Sequence, residues 1–83
     1  MEKEYQTKNL QLATFILARG GEIPTLTGER GAVTFHFPDP EEKLGWEWEL
    51  FLGDTPVPAR QLFWAMKELR AQMDRHYGKT SRR

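Results

Sequence analysis

Apolar residues recur at helical spacing in TKNLQLATFILARGG, residues 7–21. Leu10, Ala13 and Leu17 share one face, and Leu12, Phe15 and Ile16 widen it. Thr7 or Asn9 is placed to cap the start, and Gly20-Gly21 offers a left-handed stop. With so few polar residues in its middle, this helix is expected to be buried on most of its circumference. Ahead of it, EYQT reads either as a short strand or as a frayed terminus. Behind it the period changes to two. Val33, Phe35 and Phe37 alternate with Ala32, Thr34 and His36, so EIPTLT, GERG and AVTFHF form a hairpin whose first strand Pro24 confines to a sheet edge. Gly28 and Gly31 also match the GxxG loop that clamps nucleic-acid backbone in KH domains, but that loop joins two helices and this one joins two strands.

The middle of the chain supports two periods at once. WEWEL alternates like a strand, whereas helical spacing gathers Leu44, Trp48, Phe51 and Leu52 on one face. PDPEE decides for a helix, with Asp39 as its cap, Pro40 at its first position and Glu42 closing a capping box. Trp48 is then core, while Trp46 and Leu50 lie opposite as a candidate oligomer contact. Gly53 ends this helix, DTPVP is an extended linker, and Pro58 opens the last helix. From there to about Tyr77 the stripe Leu62, Met66, Leu69, Met73 and Tyr77 faces the core, with Ala59 and Phe63 at its margin. Met66 and Leu69 are expected against Phe15 and Leu17. Half a turn away stand Arg60, Trp64, Lys67, Ala71 and Arg75. Gly78 is expected to cap this helix, leaving KTSRR as a mobile basic tail.

These elements predict an α+β fold: a small two- or three-stranded antiparallel sheet packed by an N-terminal helix and two C-terminal helices, in the order (β)αββαα. The expected organisation is one domain over residues 1–77 and a flexible basic tail over 78–83. At 83 residues and 39% hydrophobic composition the chain can build one compact core. With no cysteine it has neither a disulfide frame nor a thiolate site. The N-terminus lacks the apolar run of a signal peptide, and no stretch approaches a membrane span, so the expected location is cytoplasmic with no membrane partner. A net charge of zero conceals two poles. Residues 39–54 carry six acids against Lys43, and residues 60–83 carry seven bases against Glu68 and Asp74.

Three segments carry a likeness: YQTKNLQLATFILARG, VTFHFPDP and LGDTPVPARQLFWAMKELR. Together they resemble a family of short bacterial and phage-encoded proteins classed as a domain of unknown function. That resemblance implies a compact α+β domain found in mobile-element neighbourhoods, with no assigned activity and no catalytic residues to carry over. The glycine and two tryptophans of GWEWEL depart from the family's plainly helical middle.

Catalytic chemistry finds no constellation. Ser81, the only serine, lies in the tail without a base. His36 and His76 are forty residues apart without metal-ligand spacing, and they read as an exposed sheet residue and a partner of a helix C-terminus. Glu47 and Glu49, two apart on a helix, point away from each other and read as solvated charges. No catalytic residue, cofactor or metal site is therefore expected. The basic and aromatic stripe Arg60, Trp64, Lys67 and Arg75 leaves three readings: an internal one, in which Trp64 packs under the linker or against the acidic middle helix whose Glu47 and Glu49 then pair with Arg60 or Lys67; a protein partner; or nucleic acid. The expectation is a small non-enzymatic binding or regulatory module acting on a protein, with a nucleic-acid-binding accessory protein as the alternative and homo-oligomerisation open.

Overall fold

In the computed structural model, described for residues 3–80 and for the side chains of residues 3–78, the chain is a small α+β domain. Its elements are β1 (Glu4–Thr7), α1 (Leu10–Ala18), β2 (Thr25–Thr27), β3 (Thr34–Pro38), α2 (Gly45–Leu52) and α3 (Ala59–Thr80). The three strands form an antiparallel sheet in the order β1-β3-β2. EYQT is thus a strand, and Pro24 stands just ahead of β2 at an edge, where its missing N–H costs no ladder bond.

The expected alternation holds on β3, where Phe35 and Phe37 are buried while Thr34 and His36 are half-buried on the other face. Tyr5 stands opposite Phe37, and Leu26 opposite Phe35, so the inner face is apolar across all three strands. Against it lies α1, whose residues 12–18 are all buried. Asn9 Oδ1 caps this helix by accepting from the Gln11 and Leu12 N–H groups, while Thr7 Oγ1 accepts from the Asn9 N–H. Gly20 takes φ +105°. The Gly20 N–H donates to the Leu17 carbonyl and the Gly21 N–H to the Ile16 carbonyl, which satisfies two orphan acceptors at the helix end.

Helix α3 covers α1 from the other side through Ala65 and Leu69, both fully buried, with Leu62 and Met73 packed against the same core. This phase differs from the expected stripe. The buried centre is turned toward Ala65, so Met66 is 37% and Phe63 68% exposed. The reason is close approach: an alanine lets α3 sit tightly on α1, which swings the bulkier Met66 and Phe63 outward. The helix also passes through Gly78 to Thr80 instead of stopping there. The His76 Nε2–H donates to the Gly28 carbonyl, and the Arg30 guanidinium lies 4.5 Å from the Tyr77 ring centroid. The hairpin turn therefore latches the far end of α3. Residues 81–83 of the expected tail lie outside the described residues.

Helix α2 is shorter than its capping signal suggested. Asp39 is buried, and its carboxylate accepts from the Lys43 and Leu44 N–H groups, but Glu42 sits at φ +56° and breaks any helix between them. PDPEE is consequently a turn braced by Asp39, followed by a helix that starts at Gly45. The chain leaves α2 through a second left-handed residue, Asp54 at φ +61°. The Thr55 N–H donates to the Leu50 carbonyl and the Asp54 N–H to the Phe51 carbonyl. Gly53 itself, at φ −88°, stays right-handed.

Candidate functional site

Two surfaces of the domain are open to solvent and carry aromatic or apolar side chains, and α3 contributes to both. The first is the outer stripe. Arg60, Lys67 and Arg75 are exposed, and Trp64, between them, is 49% exposed. From residue 60 to residue 75 the helix advances about 22 Å, so the stripe is long enough for several contacts. Trp64 borders a shallow cleft of about 460 Å³ with Gly20, Gly21, Pro56 and Pro58, where the linker crosses the end of α1. Among the described residues none of Arg60, Lys67 and Arg75 makes an ion pair.

The acidic segment spends its charges elsewhere. The Arg19 Nε–H donates to Glu47 Oε1 at 2.6 Å, Lys43 pairs with Glu41 at 2.9 Å, and Lys3 pairs with Glu42. The hydrogen bond from Lys43 to Glu41 raises the ammonium's pKa above its ordinary value. Glu47 thus meets α1, not Arg60 or Lys67, and the internal clamp is not formed. Among the described residues no ion pair joins the two poles.

The second surface is a groove of about 670 Å³ over the N-terminal half of α1, left open between the end of α2 and α3. Leu10 and Phe15 form its floor, Phe51 and Asp54 one wall, and Met66 and Arg70 the other. Phe51 packs edge-on against Phe15 with ring centroids 5.5 Å apart, and Trp48 leans on Phe51 at 6.0 Å. Helix α2 buries none of its residues completely. Its inward side is Leu44, Leu50 and Phe51, which pack on the core, with Glu47 beside them paired to Arg19. That rotates the helix relative to the expected face. Trp48 is 42% exposed instead of core, Leu52 is exposed, and Leu50 packs on the core, which removes it from the expected oligomer contact. Trp46, at 68%, is the most exposed tryptophan.

Sequence reasoning did not find this groove. Its one trace in the sequence is the apolar stripe of α3, of which Leu62 and Met66 line the groove. The two histidines both serve the scaffold. On the outer face of the sheet His36 joins the edge strands, with Nδ1 3.0 Å from Glu4 Oε1 and Nε2 2.7 Å from Thr27 Oγ1. His76 bonds the hairpin turn, not its own helix terminus. The GxxG turn is thereby engaged in the fold, with a carbonyl already taken. Among the described residues no group of three or more His, Cys, Asp or Glu is placed to share a metal ion, and no helix is long and apolar enough to cross a membrane. Compared with family models, curated proteins and solved structures, the chain matches none of them.

Proposed function

We propose that this chain is a small non-enzymatic binding module that acts on a protein through the outer stripe of α3. The observation that carries the reading is an exposed Trp64 set among Arg60, Lys67 and Arg75, which no acid among the described residues engages. Aromatic and arginine side chains supply most of the energy in protein interfaces, and unpaired guanidinium groups add orientation and encounter rate. The cleft beside Trp64 offers a partner a place to insert a side chain. The setting we propose with it is the cytoplasm of a host carrying mobile elements, which is what the sequence resemblance to short bacterial and phage-encoded proteins implies. The same unpaired bases also support a second reading, in which phosphates and a stacked base occupy the stripe. Overall neutrality speaks for the protein.

The test is capture from host lysate by the full chain, with and without nuclease, alongside the triple variant Arg60→Glu, Trp64→Ala, Lys67→Glu. A protein retained after nuclease and lost by the variant supports the first reading. Binding that nuclease abolishes and that falls by orders of magnitude between ~50 and ~200 mM salt replaces it with the second. Capture unaffected by the variant removes the stripe from both.

A further inference from the structure

From Ala59 to Lys67 the last helix carries the bases Arg60 and Lys67 and no acid. Arg60, Trp64 and Lys67 follow one another at spacings of four and three, so they share one face over an advance of about 10 Å. Phe63, one turn from each base, adds a second exposed ring. Among the described residues neither Arg60 nor Lys67 forms an ion pair, and Glu68 and Asp74, the acids farther along the helix, do not reach them. The first turn of α3 also holds no acid. Arg60 there opposes the positive end of the helix dipole, so its charge weakens the helix and a carboxylate brought to it from outside would relieve that opposition.

The cleft beside Trp64 has a different character. Leu17, Pro56, Val57 and Pro58 line it together with Gly20 and Gly21. Among the described residues on its lining Arg19 alone is charged, and Glu47 already holds that guanidinium, with Nε 2.6 Å from Oε1. An ionised side chain entering the cleft would leave water without gaining a counter-charge. An uncharged aromatic or aliphatic side chain loses nothing polar there and gains contact with the indole and the proline rings. At about 460 Å³ the cleft lies low in the ~300–1,000 Å³ range of small-molecule sites, which suits one large side chain. Charge is thus offered on the helix face, and an apolar slot opens beside its middle.

We infer that the protein segment bound by this stripe is acidic: two carboxylates about 10 Å apart meet Arg60 and Lys67, and an uncharged aromatic or aliphatic side chain between them enters the cleft beside Trp64. The inference rests on the protein-binding reading above and adds the chemistry of the partner. Phosphates also suit the bases, but two contacts on a chain of zero net charge supply little of the counterion release that drives nucleic-acid binding.

Display selection of random peptides of about 12 residues on the full chain reads this chemistry directly, once binders to the triple variant Arg60→Glu, Trp64→Ala, Lys67→Glu have been removed. The retained peptides should be enriched in Asp and Glu on both sides of an apolar residue. On the double variant Arg60→Glu, Lys67→Glu the same library should yield Lys and Arg at those places with the apolar residue kept. Trp64→Ala should weaken a retained synthetic peptide at least about tenfold by fluorescence anisotropy, with the circular dichroism of the chain unchanged. Retained peptides that are neutral or basic overturn the acidic partner and leave the stripe a protein site. Peptides of the same composition on the wild type and the double variant overturn the roles of Arg60 and Lys67. A library that yields no stripe-dependent peptide overturns the inference, and lysate capture then decides the protein-binding reading on its own. Single-stranded DNA of about 12 nucleotides bound where no peptide is retained gives the stripe to nucleic acid and overturns both.

Discussion

Gly28 and Gly31 show how finely single positions are constrained in this fold. Both take positive φ, but a Cβ at Gly28 would stand 2.3 Å from the Ala32 carbonyl oxygen, whereas at Gly31 it would meet open space. Gly28→Ala should therefore cost about 2 kcal/mol or more, and Gly31→Ala about 1 kcal/mol from backbone strain alone. Urea titration of the two variants checks the order, and equal midpoints would contradict it. His36 imposes a different constraint. Its hydrogen bond holds the Glu4 carboxyl below the ordinary carboxylate range, with a second bond from Gln6 acting in the same direction. A carboxyl lowered in the folded state contributes stability above its unfolded value of about 4.3, and that contribution is lost as pH falls through the lower folded value. Glu4→Gln has no proton to take up, so its stability should fall less steeply than the wild type's on acidification below about pH 4.3. Parallel acid limbs would show that the Glu4 bond contributes nothing. The turn glycines were legible in the sequence because they occupy a four-residue gap between alternating runs. The His36 bridge was not legible, since it needs the register that brings Glu4, His36 and Thr27 onto one face.

At the scale of elements, the helices differ in how much of their packing their sequences announce. Helix α1 is apolar nearly all round and could only be central, and its cap and glycine stop are local signals that tertiary contacts do not contest. Helix α3 announced its length and amphipathicity but not its phase, because Ala65 carries little hydrophobic weight and yet sets the closest approach. Leu69→Ala, which empties a fully buried site, should cost about 2–5 kcal/mol. Met66→Ala, on the groove wall, should cost less than about 1 kcal/mol. A denaturant series on both variants tests the observed phase directly, and equal losses would restore the stripe read from spacing alone. In α2 the apolar residues outnumber the inward positions, so periodicity had two solutions. Packing of Phe51 edge-on against Phe15, with Leu44 and Leu50 on the same core, favours the one seen, and Glu47 then meets Arg19. Acrylamide quenching of single-tryptophan variants should accordingly rank Trp48 as most protected, Trp64 next and Trp46 least. A well-shielded Trp46 would require a different rotation of α2.

Across the whole molecule these packing differences become a gradient of local stability. Helix α1 lies between the sheet and α3, and β3 is the central strand, so their amides should open only with the global unfolding of the chain. Helix α2 buries no residue completely and, among the described elements, meets the body chiefly through α1. Its opening exposes little that is not already wet, and its amides should exchange much faster than those of residues 12–18. Hydrogen exchange of residues 45–52 should outpace that of residues 12–18 under all native conditions, and equal rates in the two helices would place α2 within the cooperative core.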